Sequence, residues 1–221
     1  MRIHDPDVVY TDLGLALLGA YLAWRLWKSP RSGFLTRAGV FILGGLASAA
    51  LWGAVFHAFF PANTATRAGF IAWIPVSLSI VVVATTLLSL GLHVLSSRLL
   101  PLWKPIVAIY AVCFAFVVLF VDESYGTIVR FYGPTLILFL IVTLLQALRG
   151  GGRGWWVLAI SLTISIVAAL LQQAKWSIHP VYFDHNAVYH VVQGVAIVLL
   201  YLGFRRVGAH ASRPHQARRA R

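Results

Sequence analysis

Long apolar stretches alternate along this chain with short polar punctuation. The apolar runs are Val8–Trp27, Ala38–Phe60, Phe70–Leu95, Pro105–Val121, Ile128–Leu148, Trp155–Ala174 and His185–Phe204. A helix rises ~1.5 Å per residue and needs about 20 apolar residues to cross the hydrocarbon core of a bilayer. Each run is near that length, and the pattern predicts an all-α polytopic membrane protein with seven transmembrane helices. The connections are brief and rich in turn formers and charge: "KSPRSG", "PANTATRAG", "SSRLLPLWKP", "DESYG", "RGGGRG" and "KWSIHPVYFD". No linker divides the chain, so residues 1–204 read as one transmembrane domain and 205–221 as a basic cytoplasmic tail.

Composition agrees. Of 221 residues, 60% are hydrophobic and 11% charged, with mean hydropathy +0.82; soluble domains carry about 25% charged residues. The net charge of +12 would suit a nucleic-acid partner if it formed a folded basic patch. Instead the charge lies between and after the apolar runs, which makes it a topology signal and an attraction to anionic membrane lipid. No nucleic-acid partner is expected. Connections after the odd-numbered helices hold Arg25, Lys28, Arg31, Arg37, Arg98, Lys104, Arg149 and Arg153, and the tail adds Arg205, Arg206, Arg213, Arg218, Arg219 and Arg221. The other side has only Arg2, Arg67, Arg130 and Lys175. The positive-inside rule then places the amino terminus outside and the carboxyl terminus in the cytoplasm. The start, "MRIHDPDVVYTD", is acidic where a signal peptide would be basic, and is not read as one. The single cysteine, Cys113, lies within an apolar run and reads as a small buried apolar side chain.

All six acids fall on the predicted outer side: Asp5, Asp7, Asp12, Asp122, Glu123 and Asp184. Near the same depth lie His57 at the end of helix 2, Gln172 and Gln173 at the end of helix 6, and His185, Asn186 and His190 at the start of helix 7. Charged groups within membrane helices are costly and face a bundle interior or a watery cavity. One polar cavity open to the outer side is therefore expected. Several members also have ordinary roles. Asp184 suits an N-cap of helix 7, Asp122 and Glu123 suit a solvated loop, and His93 at the opposite end suits structure. The inner halves are apolar apart from His93, which leaves no polar path for a transporter. Helix 7 contains no lysine to carry a retinal.

Histidine nitrogens and a carboxylate are ordinary zinc ligands. His57 and His190 form the obvious pair, but a third ligand is not fixed by spacing. His185 is five residues before His190, about 140° around the helix; Asp12 or Asp184 are the other choices.

The layout resembles the superfamily of seven-helix membrane hydrolases that includes alkaline ceramidases, the progestin and adipoQ receptors and the Per1-type proteins. "GAVFH", Gly53–His57, is similar to its helix 2 motif, and "NAVYHVVQGV", Asn186–Val195, to its helix 7 motif. The likeness is to bacterial branches more than to the ceramidases, which implies a bacterial inner (plasma) membrane protein. The chain departs from the pattern at Gly53, where the family has serine, and at Asn186, where it has the first histidine of an HxxxH pair. The stretch after His57 also lacks the family aspartate. The resemblance carries over two zinc ligands, His57 and His190; His185 or Asp12 could complete the set, and with zinc bound Asp12 and Asn186 are the candidate catalytic residues and Tyr189 and Gln193 the residues that would orient the substrate. A zinc-bound water would then cleave a lipid amide or ester. The alternative is a receptor-like or lipid-binding membrane protein without catalysis, whose metal-free polar core is closed by a pair such as Asp12–His190 or Asp12–His57.

Overall fold

A computed structural model describes residues 3–30, 33–60, 64–96 and 100–211. Among them are seven helices: α1 Pro6–Trp27, α2 Phe34–Phe59, α3 Arg67–Leu95, α4 Leu100–Phe120, α5 Tyr125–Leu148, α6 Arg153–Gln173 and α7 His185–Ala211. The one extended pairing is an isolated bridge between His179 and Phe183 in the α6–α7 connection. Arg2, Arg31, Arg98 and the tail from 212 onward lie outside the described residues.

Each predicted run became a helix, but most begin a few residues before the apolar stretch. Two of these starts are fixed by capping side chains, which accept from the free N–H groups of the first turn. Thr66 Oγ1 accepts from Gly69 N, and Ser124 Oγ accepts from Thr127 N. At the other end, α7 runs past Phe204 to Ala211, so the first seven residues assigned to the tail are helical. Burial explains the extension: Val207 is inside, and its side chain lies against Gly154, where a Cβ would come within 2.8 Å of it.

Six helices are long and apolar enough to cross a membrane, α2 through α7. This is an integral membrane protein. α1 is not among the six; it carries Asp7, Asp12 and Arg25 within its 22 residues. It nevertheless packs against α2 on one side and α7 on the other.

The neighbours form a ring. α1 meets α2, α2 meets α3, α3 meets α5, α5 meets α6, α6 meets α7, and α7 returns to α1. α4 stands outside the ring, seated on α3 and barely touching α5. Its inner face joins Phe114 and Val118 to Val81, Ala84 and Ile128, with Phe114 stacked on Phe131 at 4.6 Å. Its outer face exposes Ile109, Val112, Phe116 and Phe120, side chains suited to lipid. Cys113 is exposed on this helix rather than buried, because α4 packs on α3 with only a slight contact to α5 and leaves its other faces open.

The main core fills the ring through the inner part of the bundle. Leu26, Ile42, Leu43, Leu87, Leu90, Phe139, Leu158 and Phe204 are almost wholly enclosed there. Small residues let the helices approach, as membrane helices require without a hydrophobic drive between them. At Gly203 an added Cβ would come within 2.6 Å of Leu158. Toward the end where α1, α3, α5 and α7 begin, the core gives way to a cavity.

Candidate functional site

The cavity measures about 420 Å³ and is lined by residues from every helix of the ring. Its deep wall is apolar, formed by Leu15, Leu46, Ala50, Val76, Ile80 and Ile128. Its remaining walls hold all seven residues singled out from the sequence: Asp12, His57, His185, Asn186, Tyr189, His190 and Gln193. Polar groups from separate helices thus line one cavity.

The most buried polar contact joins α1 to α7. His190 Nε2 lies 3.2 Å from Asp12 Oδ1, and Asp12 is only 4% exposed. The other ring nitrogen, Nδ1, lies 3.1 Å from Thr11 Oγ1. That hydroxyl also donates within its own helix, to the Asp7 carbonyl at 2.8 Å or the Val8 carbonyl at 3.0 Å. In the neutral ring whose Nε2–H donates to the Asp12 carboxylate, Nδ1 is the acceptor, and the Thr11 hydroxyl has one proton to give to it or to the backbone. Both imidazole nitrogens therefore have partners on α1. The neighbouring helix makes room for this arrangement. A Cβ on Gly53 would stand 2.8 Å from Asp12 Oδ2. The missing side chain at 53, one of the departures from the hydrolase pattern, is the space that the carboxylate occupies.

The other histidines are paired elsewhere. His57 Nδ1 lies 3.1 Å from Asp5 Oδ2, tying the end of α2 to the residue that precedes α1. His185 Nδ1 lies 3.7 Å from Asp184 Oδ2. Asp184 is the expected N-cap: Oδ1 accepts from Asn186 N at 2.8 Å and from Ala187 N at 2.9 Å. Asp184 N in turn donates to Asp7 Oδ2 at 3.0 Å, fixing the start of α7 beside the start of α1. Asn186 lines the cavity with its amide engaged on both sides. Its Nδ2 donates to Asp184 Oδ2 at 3.2 Å, and its Oδ1 accepts from Gln172 Nε2 at 3.1 Å.

This arrangement does not fit a three-ligand zinc centre. Among the described residues no three His, Cys, Asp or Glu side chains gather closely enough to hold a metal ion. His190 would have to release Asp12 or Thr11 to bind one.

Gln193 differs from its neighbours. It lines the cavity one helical turn below His190, is 4% exposed, and has no hydrogen-bond partner among the described residues. The rim also includes residues the sequence did not single out as a set. Glu123 accepts from Thr64 Oγ1 at 3.3 Å, and its backbone carbonyl accepts from Trp73 Nε1 at 2.8 Å. Trp73 and Phe56 pack with ring centroids 4.9 Å apart beside the cavity. Thr11 carried no signal that could have been read. It is 179 positions from His190, and only helix rotation brings them together.

A family model described as "Family of unknown function (DUF6962)" matches residues 8–209, nearly the whole chain and all seven helices. The chain belongs to that family. No curated protein and no solved structure matches it. The family match covers the bundle and the complete cavity, so the polar core lies within the shared domain.

Proposed function

We propose that this protein is a receptor-like, ligand-binding membrane protein whose cavity has a metal-free polar core. The observation that carries this reading is His190. Both of its ring nitrogens are engaged by neighbouring α1 residues, Nε2 with Asp12 and Nδ1 with Thr11. A buried carboxylate and imidazole that satisfy each other need no ion to explain them. The cavity above them, apolar on its deep wall and polar on the others, has the size and mixed lining of a small-molecule site. Membrane lipid surrounds the bundle, and a lipid-like ligand is the natural occupant.

The reading includes seven crossings, with the amino terminus outside and the carboxyl terminus in the cytoplasm of a bacterial inner membrane. Contacts of Asp5 with His57 and of Asp7 with Asp184 hold the start of α1 level with the end of α2 and the start of α7. From there its 22 residues reach ~33 Å at the helical rise, the depth of the hydrocarbon core. The acids Asp7 and Asp12 have partners inside the bundle, which lowers the cost of placing α1 in lipid.

Elemental analysis of purified protein tests the reading together with substitutions. We expect no stoichiometric zinc, and no change in metal content for His57→Ala or His190→Ala. His190→Ala should destabilise by about 3–5 kcal/mol, because it strands a buried carboxylate. One zinc per chain that disappears in either variant would replace this reading with that of a zinc-dependent hydrolase of lipid amides or esters.

A further inference from the structure

We infer that the cavity is built for a small organic ammonium ion, with its charged head at Asp12 and Gln193 and its hydrocarbon body against the apolar wall. The inference rests on the ligand-binding reading above and names the chemistry of the ligand. Four observations support it, and they are independent of one another.

The first is an incompletely used carboxylate. Asp12 engages His190 through Oδ1, while Oδ2 points toward Gly53, and no donor among the described residues reaches it. The second is Gln193, more than nine-tenths buried, lining the same cavity without a partner. Among the described residues the side-chain atoms sealed off without a partner are Ser77 Oγ, Thr85 Oγ1 and His93 Nδ1, and neither group is one of them; both face the cavity, where a ligand can supply the donor that the protein does not. An ammonium group offers several N–H donors, enough for the carboxylate oxygen and the amide carbonyl of Gln193 together.

The third is the sign of the walls. Asp12 and Glu123 line the cavity, and among the described residues no lysine or arginine does. The basic residues described at this end, Arg67, Arg130 and Lys175, are exposed and outside the lining. The two remaining histidines of the lining, His57 and His185, each face a carboxylate of their own, Asp5 and Asp184. An anionic ligand would meet two carboxylates here without a matching cation.

The fourth is the aromatic content. Phe56, Trp73, Tyr125 and Tyr189 all line the cavity. Aromatic faces attract ammonium ions, most strongly where water is displaced. The volume of about 420 Å³ admits an amine with a ring or a short chain and leaves no room for a whole two-chain lipid.

The test uses the full chain in nanodiscs and three probes that share one body: 2-phenylethylammonium, 2-phenylethanol and 3-phenylpropionate. Binding is read by calorimetry and by the shift in thermal unfolding. The ammonium probe should bind more tightly than the other two. Asp12→Asn should weaken it by about tenfold or more, the loss of a charge-assisted hydrogen bond. If Asp12→Asn does not fold, Gln193→Leu serves in its place; it matches in volume and should selectively weaken the ammonium probe. Equal binding of the alcohol, with neither variant changing the result, overturns the ammonium assignment and leaves a neutral ligand cavity. Preference for the carboxylate overturns it as well. Absence of binding by all three probes overturns the ammonium assignment alone, whereas stoichiometric zinc overturns the metal-free reading on which it rests and the assignment with it.

Discussion

At the scale of single residues, the site is organised by what Gly53 lacks. Its missing side chain gives Asp12 a place to stand, and Asp12 in turn holds His190. Gly53→Ala should therefore act at a distance from any ligand contact of its own. The added carbon would lie 2.8 Å from Oδ2 and 3.4 Å from Cγ of Asp12, closer than packing tolerates. We expect a loss of about 1–3 kcal/mol, the usual cost of overfilling a packed interior. Thermal unfolding in detergent would measure it, and Gly44→Ala is the control, since a Cβ there meets nothing within 4 Å. Equal effects of the two substitutions would separate Gly53 from the carboxylate. The sequence made Asp12, His190 and Gly53 noticeable for separate reasons. Asp12 and His190 are polar groups inside apolar runs, and Gly53 breaks a family pattern. It could not join them, because partnership across a bundle depends on how each helix is rotated, and hydropathy does not report rotation.

Helices as units show the same division between what is legible and what is not. Seven apolar runs became seven helices, since length and apolarity are properties of each segment by itself. The position of α4 outside the ring is a property of pairs. Its run is as apolar as its neighbours', so nothing in it marks a peripheral helix, and Cys113 was read as buried for that reason. Helix starts were misjudged in a consistent direction, because first turns are polar where they are capped. The start of α5 is the clearest instance. Asp122 accepts from the Thr127 hydroxyl and from Ser124 N, and Ser124 caps Thr127 N. Those hydrogen bonds, that from Thr127 foremost, hold the Asp122 carboxyl below its ordinary value of 3.8. A carboxylate depressed on folding contributes stability above its unfolded value and loses it as the pH falls through the lower folded value. Amide exchange in the first turn of α5, corrected for intrinsic rates, should therefore accelerate as the pH drops below about 3.9, the unperturbed range for aspartate. Asp122→Asn should remove that dependence. An unchanged profile in the variant would assign the opening to other groups.

The whole molecule is polarised from end to end. Its six acids gather at the cavity end, and among the described residues Arg25, Lys28, Arg37, Lys104, Arg149, Arg153, Arg205 and Arg206 lie toward the other. This asymmetry serves two purposes with one distribution. In the proposed orientation, basic residues on the cytoplasmic side fix the insertion, and the same rule leaves the outer end free to carry carboxylates and to draw cations toward the cavity. The two purposes stand or fall on α1, the helix that brings Asp12 to the site and yet is the one of the seven not among those long and apolar enough to cross a membrane. If α1 crosses the membrane, positions 4 and 28 lie on opposite faces. If it rests at one surface, they share a side, and Asp12 cannot reach His190 at the observed depth. Single cysteines at His4, Lys28 and Trp176, introduced with Cys113→Ala, distinguish these cases with a membrane-impermeant maleimide on intact cells. All three positions are exposed. We expect labelling at 4 and 176 from outside, and at 28 only after permeabilisation. Labelling of 4 and 28 from the same side would remove α1 from the membrane, and with it the carboxylate on which the ammonium site depends.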